Sequence, residues 1–589
     1  MSTGSPIETR RRAVDAVMPP GEARFIGVDA GAETIKLVEL HRLGGALRIS
    51  RREILEHGKQ PGPALVAALR RWDWGTADGA SASGRFASQL NLPAHTRDLI
   101  AASLKGQDFL PADQVQLHDA LDYGGLAVLN DAWSRFRLAE LFADLGMPRQ
   151  RGLLQSIIYS RLLFPCAKLS LAHQAEGTWL AQACGLAADE SFDEDDLYAA
   201  MDQLNGHWVN LEKQLYARAF PQCVRLVLYD LTSVYFEGRG PEHWAQYGHS
   251  RDHRSDRRQI LLAVATDSEG LPLHVSVLRG NRNDTQTLQG LLHTLRRRFG
   301  IQEATFVFDG GMSSQINLEA MNAAQLKYVT RLSAATLHAL VAELALEKQL
   351  ELGDRQQFME VTHQGQRYVI AGGPWRQQRD QERRQCRIAK AEAELKRLAA
   401  VQRKKLDGQK LASQVGRTLQ RLKAHKYFTY QVDAQGQLQW ARKEAVIAQE
   451  AQQDGWYLLH TNETVAACSG AQVLGHYKGL LDVEEAFCEL KSYLEVRPIH
   501  HRRPDRVVNH VRLCFLAYWL SARLGGEWRA RGETEEVPRV LRHLQTIRLG
   551  SLQIGPEVHR TVMTEVPKAL NDQLRKLGLT ALFAAPPKP

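Results

Sequence analysis

Three side chains in the last third of the chain are spaced so that they could act together on a phosphate group. Tyr477, Glu484 and Lys491 follow one another at intervals of seven residues. Seven residues are close to two helical turns, so the spacing predicts that all three side chains leave one face of a helix. An aromatic hydroxyl, a carboxylate and an ammonium group on one face can contact a metal ion and a phosphate backbone together.

Two further carboxylates follow apolar stretches that are typical of buried strands. VRLVLYD ends at Asp230 and ATFVFD ends at Asp309, so each predicted strand finishes in an aspartate. Either aspartate by itself would more often belong to a turn or a helix cap. Together with Glu484 they form the oxygen-ligand set that Mg²⁺ prefers and that two-metal phosphodiester chemistry requires. The sequence therefore predicts Asp230, Asp309 and Glu484 as metal ligands and catalytic residues.

A polar, arginine-rich stretch, YGHSRDHRSDRRQ, supplies other candidates. His249 and His253 are four residues apart, but no cluster of histidines or cysteines accompanies them, so we interpret them as loop or DNA-contact residues. Arg254 and Arg257 in the same stretch are predicted DNA contacts. The seven cysteines are odd in number and never form a CxxC pair, which favours reduced thiols and argues against structural zinc.

The elements that must position the two aspartates are predicted between residues 223 and 332. The pattern indicates three strands, a helix that ends at Gly300, a strand, a second helix and a last strand, with a hairpin turn at Asp267–Gly270. This order is that of a ribonuclease-H-like α/β core, in which the first and fourth strands are neighbours. We therefore expect Asp230 and Asp309 to lie side by side.

The stretch from 333 to 455 separates the second aspartate from the glutamate, and we interpret it as an insertion. It contains two predicted hairpins, which turn at Gln364-Gly365 and Gln435-Gly436. Between Arg376 and His425 it holds 15 Lys and Arg against 5 Asp and Glu, an excess of +10 in a chain whose net charge is +9. Such a concentration favours a polyanionic partner. A solvated helical face is the alternative.

The amino-terminal stretch FIGVDAGAETIKLVEL predicts a strand, a turn and a second strand. Its G-V-D-A-G pattern resembles the first phosphate loop of the actin-like ATPase superfamily, and ETIKLVEL is similar to the acyl-CoA dehydratase activases. No second phosphate loop follows, so the resemblance implies a partial fragment without ATPase activity. A plain hairpin that turns at Asp29-Ala30-Gly31 is the alternative.

Several motifs, taken in order, resemble the DDE transposases of bacterial insertion sequences. Tyr477, Glu484 and Lys491 match the Y-(2)-R-(3)-E-(6)-K signature of the IS-four type, and Leu480 stands at the arginine position. The resemblance extends from about residue 110 to 530. The other stretches that carry it are YDLTSVYFEG, GHSRDHRSDRRQ, FDGGMSSQINL and KSYLEVRPIHHRRPDRVVNHVRLCFLAYWL.

The resemblance implies metal-dependent cleavage of DNA at transposon ends and strand transfer into target DNA. Water would free a 3′-hydroxyl, which would then attack the target, with Mg²⁺ or Mn²⁺ held by the three carboxylates. The implied partners are double-stranded DNA, as terminal inverted repeats and as target, and a second copy of the chain in a homodimeric DNA complex. The residues expected to contact DNA are Tyr477, Lys491, Arg497, Arg502 and Arg503, with His500 and His501 beside them.

These patterns divide the chain into seven predicted segments. They are a flexible tail (1–24), the partial actin-like fragment (25–109), a helical amino-terminal transposase domain (110–222), the first part of the ribonuclease-H-like core (223–332), the insertion (333–455), the last part of the core with the glutamate helix (456–530) and a carboxyl-terminal segment (531–589).

Composition agrees with a folded protein of several domains. The chain has 589 residues, of which 44% are hydrophobic, and no apolar run approaches the roughly 20 residues that span a bilayer. The amino terminus lacks the apolar core of a signal peptide, so we expect no membrane association and a cytoplasmic, nucleoid-associated protein. Two alternatives stay open: a ribonuclease-H-like nuclease without strand transfer, and a transposase-derived DNA-binding protein with impaired catalysis.

Overall fold

The computed structural model describes most of the chain after residue 114 and part of what precedes it. Its described ranges are 23–30, 34–43, 46–56, 68, 71–72, 115–187, 191–282, 287–346, 349–350, 357–400, 408–433, 436–554 and 558–587. Within these ranges no helix has both the length and the apolar character needed to cross a bilayer. The described residues form two compact units. The first takes residues up to Asp131, Leu169–Ser191 and Trp528 onward, and the second takes Ala132–Lys168 and Phe192–Glu527.

The strands of the described residues are, in chain order, β1 (Ala23–Ala30), β2 (Thr34–Leu43), β3 (Ala46–Glu56), β4 (Val115–Asp122), β5 (Leu226–Tyr235), β6 (Gln259–Thr266), β7 (Pro272–Arg279), β8 (Thr305–Phe308), β9 (Lys327–Arg331), β10 (Gln357–His363), β11 (Gln366–Gly372), β12 (Phe428–Val432), β13 (Leu438–Arg442), β14 (Trp456–Thr461), β15 (Arg548–Ile554) and β16 (Val558–Met563).

The α-helices of the same residues are α1 (Gly124–Arg135), α2 (Leu138–Leu141), α3 (Pro148–Leu163), α4 (Lys168–Ala175), α5 (Leu180–Ala183), α6 (Glu194–Asp202), α7 (Trp208–Ala219), α8 (Leu288–Phe299), α9 (Gln315–Ala323), α10 (Ala334–Glu343), α11 (Pro374–Ala400), α12 (Gly408–Arg421), α13 (Glu444–Ala451), α14 (Gly470–Lys478), α15 (Leu480–Cys488), α16 (Pro504–Ala530), α17 (Val537–Leu544) and α18 (Lys568–Leu577).

The second unit is built around an eight-stranded sheet in the order β10-β11-β14-β9-β8-β5-β6-β7. Its three central strands, β9, β8 and β5, are parallel, and the strands outside them pair antiparallel. The predicted order of three strands, helix, strand, helix and strand is present as β5-β6-β7-α8-β8-α9-β9. The expected adjacency of the first and fourth strands is confirmed by the β5–β8 pairing. The mixed α/β class is therefore confirmed.

The helices that interrupt these strands bury their apolar faces on the sheet. In α8, the leucines at 288, 291, 292 and 295 recur at helical spacing and are buried. The helix ends as predicted at Gly300, whose φ of 69° is the left-handed conformation that favours glycine at a helix terminus. One core cluster joins these leucines to residues of β5, β6, β8 and β9 and of α7 and α9. This packing holds β5 and β8 in register beneath the candidate site.

The predicted hairpin at Gln364-Gly365 is present, with φ of 50° and 75° at its two turn residues and with His363 paired to Gln366. However, its strands β10 and β11 join the large sheet through β14. The first part of the predicted insertion (333–455) is thus an extension of the sheet, because β11 supplies the partner that β14 lacks on its outer side. The second predicted hairpin is formed by β12 and β13, and Gln435 lies outside the described residues.

A separate module begins at α11 and runs to α13. Helices α11 and α12 bury an apolar stripe and leave most of their basic residues exposed, so the charge run lies largely on their solvent faces. The stripe packs against the hairpin of β12 and β13. The buried members of this core are Ile388, Ala391, Leu395, Leu398, Leu411, Val415, Leu419, Ala424, Tyr427, Phe428 and Leu438.

The helix predicted to carry Tyr477, Glu484 and Lys491 without interruption is divided into three parts, so the prediction of one continuous helical face is wrong. Helix α14 ends at Lys478, α15 begins at Leu480, and a π-helical turn follows at Glu489–Tyr493. A π turn holds more residues than an α turn. It therefore rotates Lys491 away from the line set by the seven-residue spacing.

In the first unit, the prediction of helical structure for 110–222 is wrong at β4. Its sequence, VQLHDALD, places apolar residues at alternate positions, and β15 supplies its partner. β15 also pairs with β16, so the predicted carboxyl-terminal segment (531–589) shares a sheet with a strand from near residue 120. A partner more than 400 residues away leaves no local signal in the sequence.

The two strands predicted near the amino terminus are present as β1 and β2, which pair antiparallel up to Ala30 and Ile35. β3 adds a third antiparallel strand. Residues 31–33, which contain Gly31 of the proposed phosphate loop, lie outside the described residues, as does most of the predicted tail. The actin-like character of this fragment stays a prediction.

Candidate active site

Asp230 and Asp309 occupy matching positions on two parallel strands. β5 and β8 pair up to Tyr229 and Phe308, and each aspartate is the next residue along. Asp309 keeps an extended backbone, with φ −73° and ψ 160°. Neighbouring strands lie about 4.8 Å apart, and matching residues of parallel strands face the same side. The sheet thus brings the two predicted carboxylates together.

Asp230 lies in the interior of its strand, whereas the sequence predicted that it would lie at the strand's end. β5 continues for five residues to Tyr235, because β6 still supplies partners beyond the point where β8 stops, beginning with Val264 opposite Asp230. Asp309, by contrast, follows the last residue of β8. The end of β8 therefore opens space beside Asp230, and this space is where the two carboxylates face solvent.

The glycine after Asp309 has a packing reason. A Cβ on Gly310 would lie 2.7 Å from the backbone oxygen of Arg331, at the end of neighbouring β9. Real Cβ atoms do not approach backbone oxygen so closely, so a side chain at this position would push the two strand ends apart. The Asp-Gly pair is therefore more than a common turn sequence, because the glycine lets the chain pass close to β9 directly after the carboxylate.

Glu484 comes from α15, which packs on β5. Val483, Ala486 and Phe487 form its buried face, and Glu484 is exposed. The junction with α14 at Gly479 lies close against β5, because a Cβ there would be 3.3 Å from Leu228 Cδ1. The helix is thus seated directly over the strand that carries the first aspartate.

The electrostatic environment of Asp230 links the three carboxylates. Burial raises the pKa of Asp230 to about 7, and the negative charges of Asp309 and Glu484 add to the rise, while the Leu231 N–H and the Arg251 guanidinium oppose it. Charges raise a pKa in this way only at short range. Glu484 comes from a helix packed on the strand of Asp230, and its role as a metal ligand stays a prediction.

Tyr477 borders the same site on the side of Asp309. Its hydroxyl donates to Asp309 Oδ1 at 3.4 Å, the long end of hydrogen bonding. Its ring lies 5.9 Å from that of Tyr457, centroid to centroid. Burial, with the negative charge of Asp309, raises the pKa of Tyr477, so the phenol stays protonated as a hydrogen-bond donor.

Lys491 is held at the other side by a residue that sequence reasoning missed. Its Nζ lies 2.8 Å from Asp252 Oδ1, and Arg497 Nη1 lies 2.6 Å from the same oxygen. The carboxylate is only 4% exposed, and its Oδ2 is buried without a described hydrogen-bond partner. Asp252 stands in the GHSRDHRSDRRQ stretch, where the run of charged residues was its only signal.

The remaining predicted DNA contacts are not gathered at the carboxylates. Arg254 pairs with Asp256 at 2.8 Å, and Arg257 pairs with Glu237 at 2.9 Å. Arg502 is exposed. Arg503 pairs with Asp505. These arginines stay predictions as DNA contacts.

The two histidines beside these arginines differ in their environment. His500 is exposed. The ring of His501 lies 5.3 Å from that of His510. Burial, followed by the charge of Lys168, lowers the pKa of His501 to about 3, so this ring is neutral and does not provide positive charge for a phosphate.

The donor set fits a hard divalent cation by its chemistry. Two carboxylates lie side by side on the sheet and the third comes from the helix packed on β5, none forms an ion pair with a basic side chain in the described ranges, and repulsion from Asp309 and Glu484 adds to the rise that burial causes in the pKa of Asp230. A divalent cation relieves such repulsion and prefers oxygen ligands. In the same part of the chain, no three His, Cys, Asp or Glu side chains are closed around one point. The three carboxylates thus lie in one region of the fold but do not by themselves form a closed set of metal ligands.

Comparison with known proteins gives a family and a distant structural neighbour. Over residues 221–520, which are 300 of the 589 residues, the chain matches the family described as Transposase DDE domain. Among solved structures, it is similar to a piggyBac transposase in a cryo-EM synaptic complex with hairpin DNA, with 8% sequence identity and a TM-score of 0.36 over 72% of this chain and 76% of that one. No curated protein matches.

Proposed function

The chain belongs to the family of transposase DDE domains, and we propose that it cleaves DNA at the ends of a mobile element and joins those ends to target DNA. The observation that supports this most is the position of Asp230 and Asp309 side by side on the parallel strands β5 and β8, with the helix of Glu484 packed on β5. None of the three carboxylates forms an ion pair with a basic side chain in the described ranges. They are well suited to a site that binds a cation.

The exposure of the site favours a large substrate. Asp309 and Glu484 are exposed, and Asp230 is half-buried, so a phosphodiester of duplex DNA could reach all three without entering a closed pocket. A bound divalent cation would supply Lewis-acid stabilisation of charge that develops on the phosphate. The chain would contribute the three carboxylates as its ligands, and Tyr477 would orient the carboxylate of Asp309 through their hydrogen bond.

The proposed reaction has two displacements at phosphorus. In the first, water attacks a phosphodiester at the element's end, the bond from phosphorus to the 3′ oxygen breaks, and the leaving oxygen takes up a proton. In the second, the freed 3′-hydroxyl loses its proton and attacks a target phosphodiester, whose own bond to a 3′ oxygen breaks. One phosphorus–oxygen bond forms for each that breaks, so no oxidant or energy-rich co-substrate is needed.

The cations around the site fit this polyanionic substrate. The Lys491 ammonium and the Arg497 guanidinium share one buried carboxylate, Asp252. DNA phosphates could form ion pairs with the same two cations. Burial lowers the pKa of Lys491, while Asp252 opposes that change. Asp252 thus keeps the ammonium charged beside the site until DNA arrives.

Several finer points belong to the same proposal. The strand order and the neighbouring aspartates support a ribonuclease-H-like core, and the spacing of Tyr477, Glu484 and Lys491 supports the IS-four type. Double-stranded DNA, as terminal repeats and as target, is the proposed partner, with the chain acting as a homodimer. Mg²⁺ is the proposed ion, and Mn²⁺ would replace it.

The test uses DNA from either side of the gene, in which inverted repeats would mark the element's ends. Duplexes that carry these ends are incubated with the protein and Mg²⁺, and both cleaved and joined products are measured. Glu484→Gln is expected to abolish both products. Glu485→Gln changes the exposed neighbouring residue on the same helix and is expected to retain both.

The products also separate the alternatives. Cleaved DNA without joined DNA would favour a nuclease, and specific binding without cleavage would favour a transposase-derived DNA-binding protein. Activity that survives in Glu484→Gln would refute the assignment of the site.

A further inference from the structure

Arginines from two elements meet over the ring of one tyrosine, Tyr457, near Asp309. The Arg376 guanidinium carbon lies 4.7 Å from the ring centroid of Tyr457, and that of Arg331 lies 5.9 Å from it. Tyr457 is next to Tyr477, whose hydroxyl reaches Asp309. Arg331 is the last residue of β9, and Arg376 belongs to the first turn of α11. The two guanidinium groups are therefore connected to Asp309 through Tyr457 and Tyr477.

This cluster contains hydrogen-bond donors that the protein leaves unused. The Nε atoms of Arg376 and Arg379 are buried, and neither has a hydrogen-bond partner among the described residues. Arg379 lies over the ring of Trp375, with its guanidinium carbon 4.7 Å from the centroid. Trp375 is itself 71% exposed. Buried N–H groups without acceptors are costly and rare in folded proteins, and they indicate an acceptor that arrives from outside.

The same cluster carries an excess of positive charge. Arg376 Nε lies 3.7 Å from Asp380 Oδ2, which also accepts a long hydrogen bond from the Gly455 N–H at 3.4 Å. None of the ion pairs in the described part of the chain involves Arg331. Burial and the like charge of Arg331 lower the pKa of Arg376, so the two guanidinium groups repel each other. An anion between them would remove this repulsion.

The start of α11 adds to the attraction. The helix has 27 residues, and the free N–H groups and dipole of its first turn favour negative charge. Arg376 lies in this turn and Arg379 in the next, three residues apart, so they lie on one side of the helix. Guanidinium groups match a phosphate through paired N–H donors, and each also stacks on an aromatic ring here.

We propose that Arg331, Arg376 and Arg379 form a phosphate-binding site that holds a DNA phosphodiester next to the one cleaved at Asp309. The choice of DNA as the source of the phosphate rests on the proposed function. The site lies within reach of the carboxylates through Tyr457 and Tyr477, so a strand that crosses both would be fixed on each side of the reacting bond. The insertion would thereby contribute to substrate positioning through its first turn, independently of the basic residues further along α11.

The test measures DNA binding without catalysis. A short fluorescent duplex is titrated with the full chain in EDTA over a range of NaCl concentrations. The Arg331→Gln/Arg376→Gln double variant is expected to bind about tenfold more weakly at low salt, since hydrogen bonds to charged groups are strong. The slope of log affinity against log salt should fall by about 0.9, the value for one lost phosphate contact.

A matched control separates this site from general loss of charge. Arg397→Gln removes one positive charge from the same helix about 30 Å away, at 1.5 Å per residue, and exposed Arg397 pairs only with Glu394 among the described residues. It should leave the salt slope unchanged. Thermal unfolding of each variant checks that the fold is kept, and Arg376→Lys, which retains charge without the paired donors, should recover part of the affinity.

The outcomes separate this proposal from the proposed function. A double variant with wild-type affinity and salt slope would refute the phosphate site, whether or not the protein cleaves DNA. A reduced slope in a protein that shows no metal-dependent cleavage would support the site and count against the transposase activity. Equal effects from Arg397→Gln would show diffuse attraction only and would also refute the site.

Discussion

Removal of the Asp230 charge should stabilise the protein while it abolishes activity. In the metal-free protein, ionisation of Asp230 is opposed by burial and by the nearby negative charges of Asp309 and Glu484. Asp230→Asn keeps the size of the side chain and removes the ionisation. The variant should therefore unfold at a higher temperature than the wild type in EDTA near neutral pH, as expected when a functional group is held at a cost in stability.

The size of the gain follows from the pKa. A rise from the ordinary value of 3.8 to about 7 sets a ceiling of about 4 kcal/mol, at about 1.4 kcal/mol per unit. Solvent and salt reach the exposed carboxylates beside Asp230, so we expect about 1–3 kcal/mol. Because the unit that contains Asp230 spans Ala132–Lys168 and Phe192–Glu527, its large unfolding entropy limits the rise in melting temperature to about 1–2 °C per kcal/mol.

The pH dependence gives the sharper measurement. Because the pKa of this carboxyl is higher in the folded state, the cost is absent below about pH 4, grows as the pH rises towards about 7, and is constant above that. The difference in melting temperature between Asp230→Asn and the wild type should follow this course. Glu485→Gln, an exposed change on α15, serves as the control for altered net charge.

Mg²⁺ alone supplies the second arm of the experiment. A ligand that binds only the folded state stabilises it by an amount that grows with the logarithm of the ligand concentration divided by Kd. The wild type should gain stability on addition of Mg²⁺ at pH 8, and Asp230→Asn should gain much less. A melting difference that does not change with pH, combined with equal Mg²⁺ effects in both proteins, would refute the account of this site.

Three further changes test the supports of the site. Gly310→Ala should lower the unfolding temperature by the equivalent of about 1–3 kcal/mol and reduce cleavage, because its Cβ would lie 2.7 Å from the Arg331 oxygen; unchanged melting would contradict this. Asp252→Asn should weaken binding of a cleaved DNA end and shift the pH profile of cleavage, since two cations lose their shared counter-charge; a wild-type pH profile would argue against a positioning role. Arg384→Met should lower the free energy of unfolding by about 3–5 kcal/mol, because it leaves Asp454 buried without its two 2.5 Å contacts. The same change at an exposed arginine of α11 should cost little, and differential scanning calorimetry measures both.

The local features of this fold were readable because neighbouring residues decide them. The order of strands and helices between 223 and 332 follows from apolar stretches that alternate with turn residues, and it is present as predicted. The turn at Gln364-Gly365 follows from two residues that accept positive φ. The expected adjacency of Asp230 and Asp309 rests on the ribonuclease-H-like order, in which the first and fourth strands are neighbours, and the β5–β8 pairing confirms it.

Predictions failed where a local pattern met a tertiary constraint. The seven-residue spacing of Tyr477, Glu484 and Lys491 predicted one helical face. In the structure, however, a glycine junction separates α14 from α15 where the chain packs against β5, and α15 is followed by a π turn. The strand β4 was missed because its partner β15 lies more than 400 residues away. The sequence predicted that the hairpin of β10 and β11 belongs to an insertion, because the module from α11 to α13 separates it in the chain from β14, the strand with which it pairs.

The sequence by itself determined the order of elements between residues 223 and 332, because residue types and local periodicity encode it. Its motifs indicate the family through their resemblance to DDE transposases, and they predict the three carboxylates as the site. Only the tertiary structure decided that Asp252, 239 residues from Lys491, holds the lysine beside the site. It also decided that Arg331 and Arg376 meet over Tyr457. Such contacts depend on which surfaces pack after the chain has folded. Residues that meet in a long-range ion pair or a cation–ring contact show no regular spacing in the sequence.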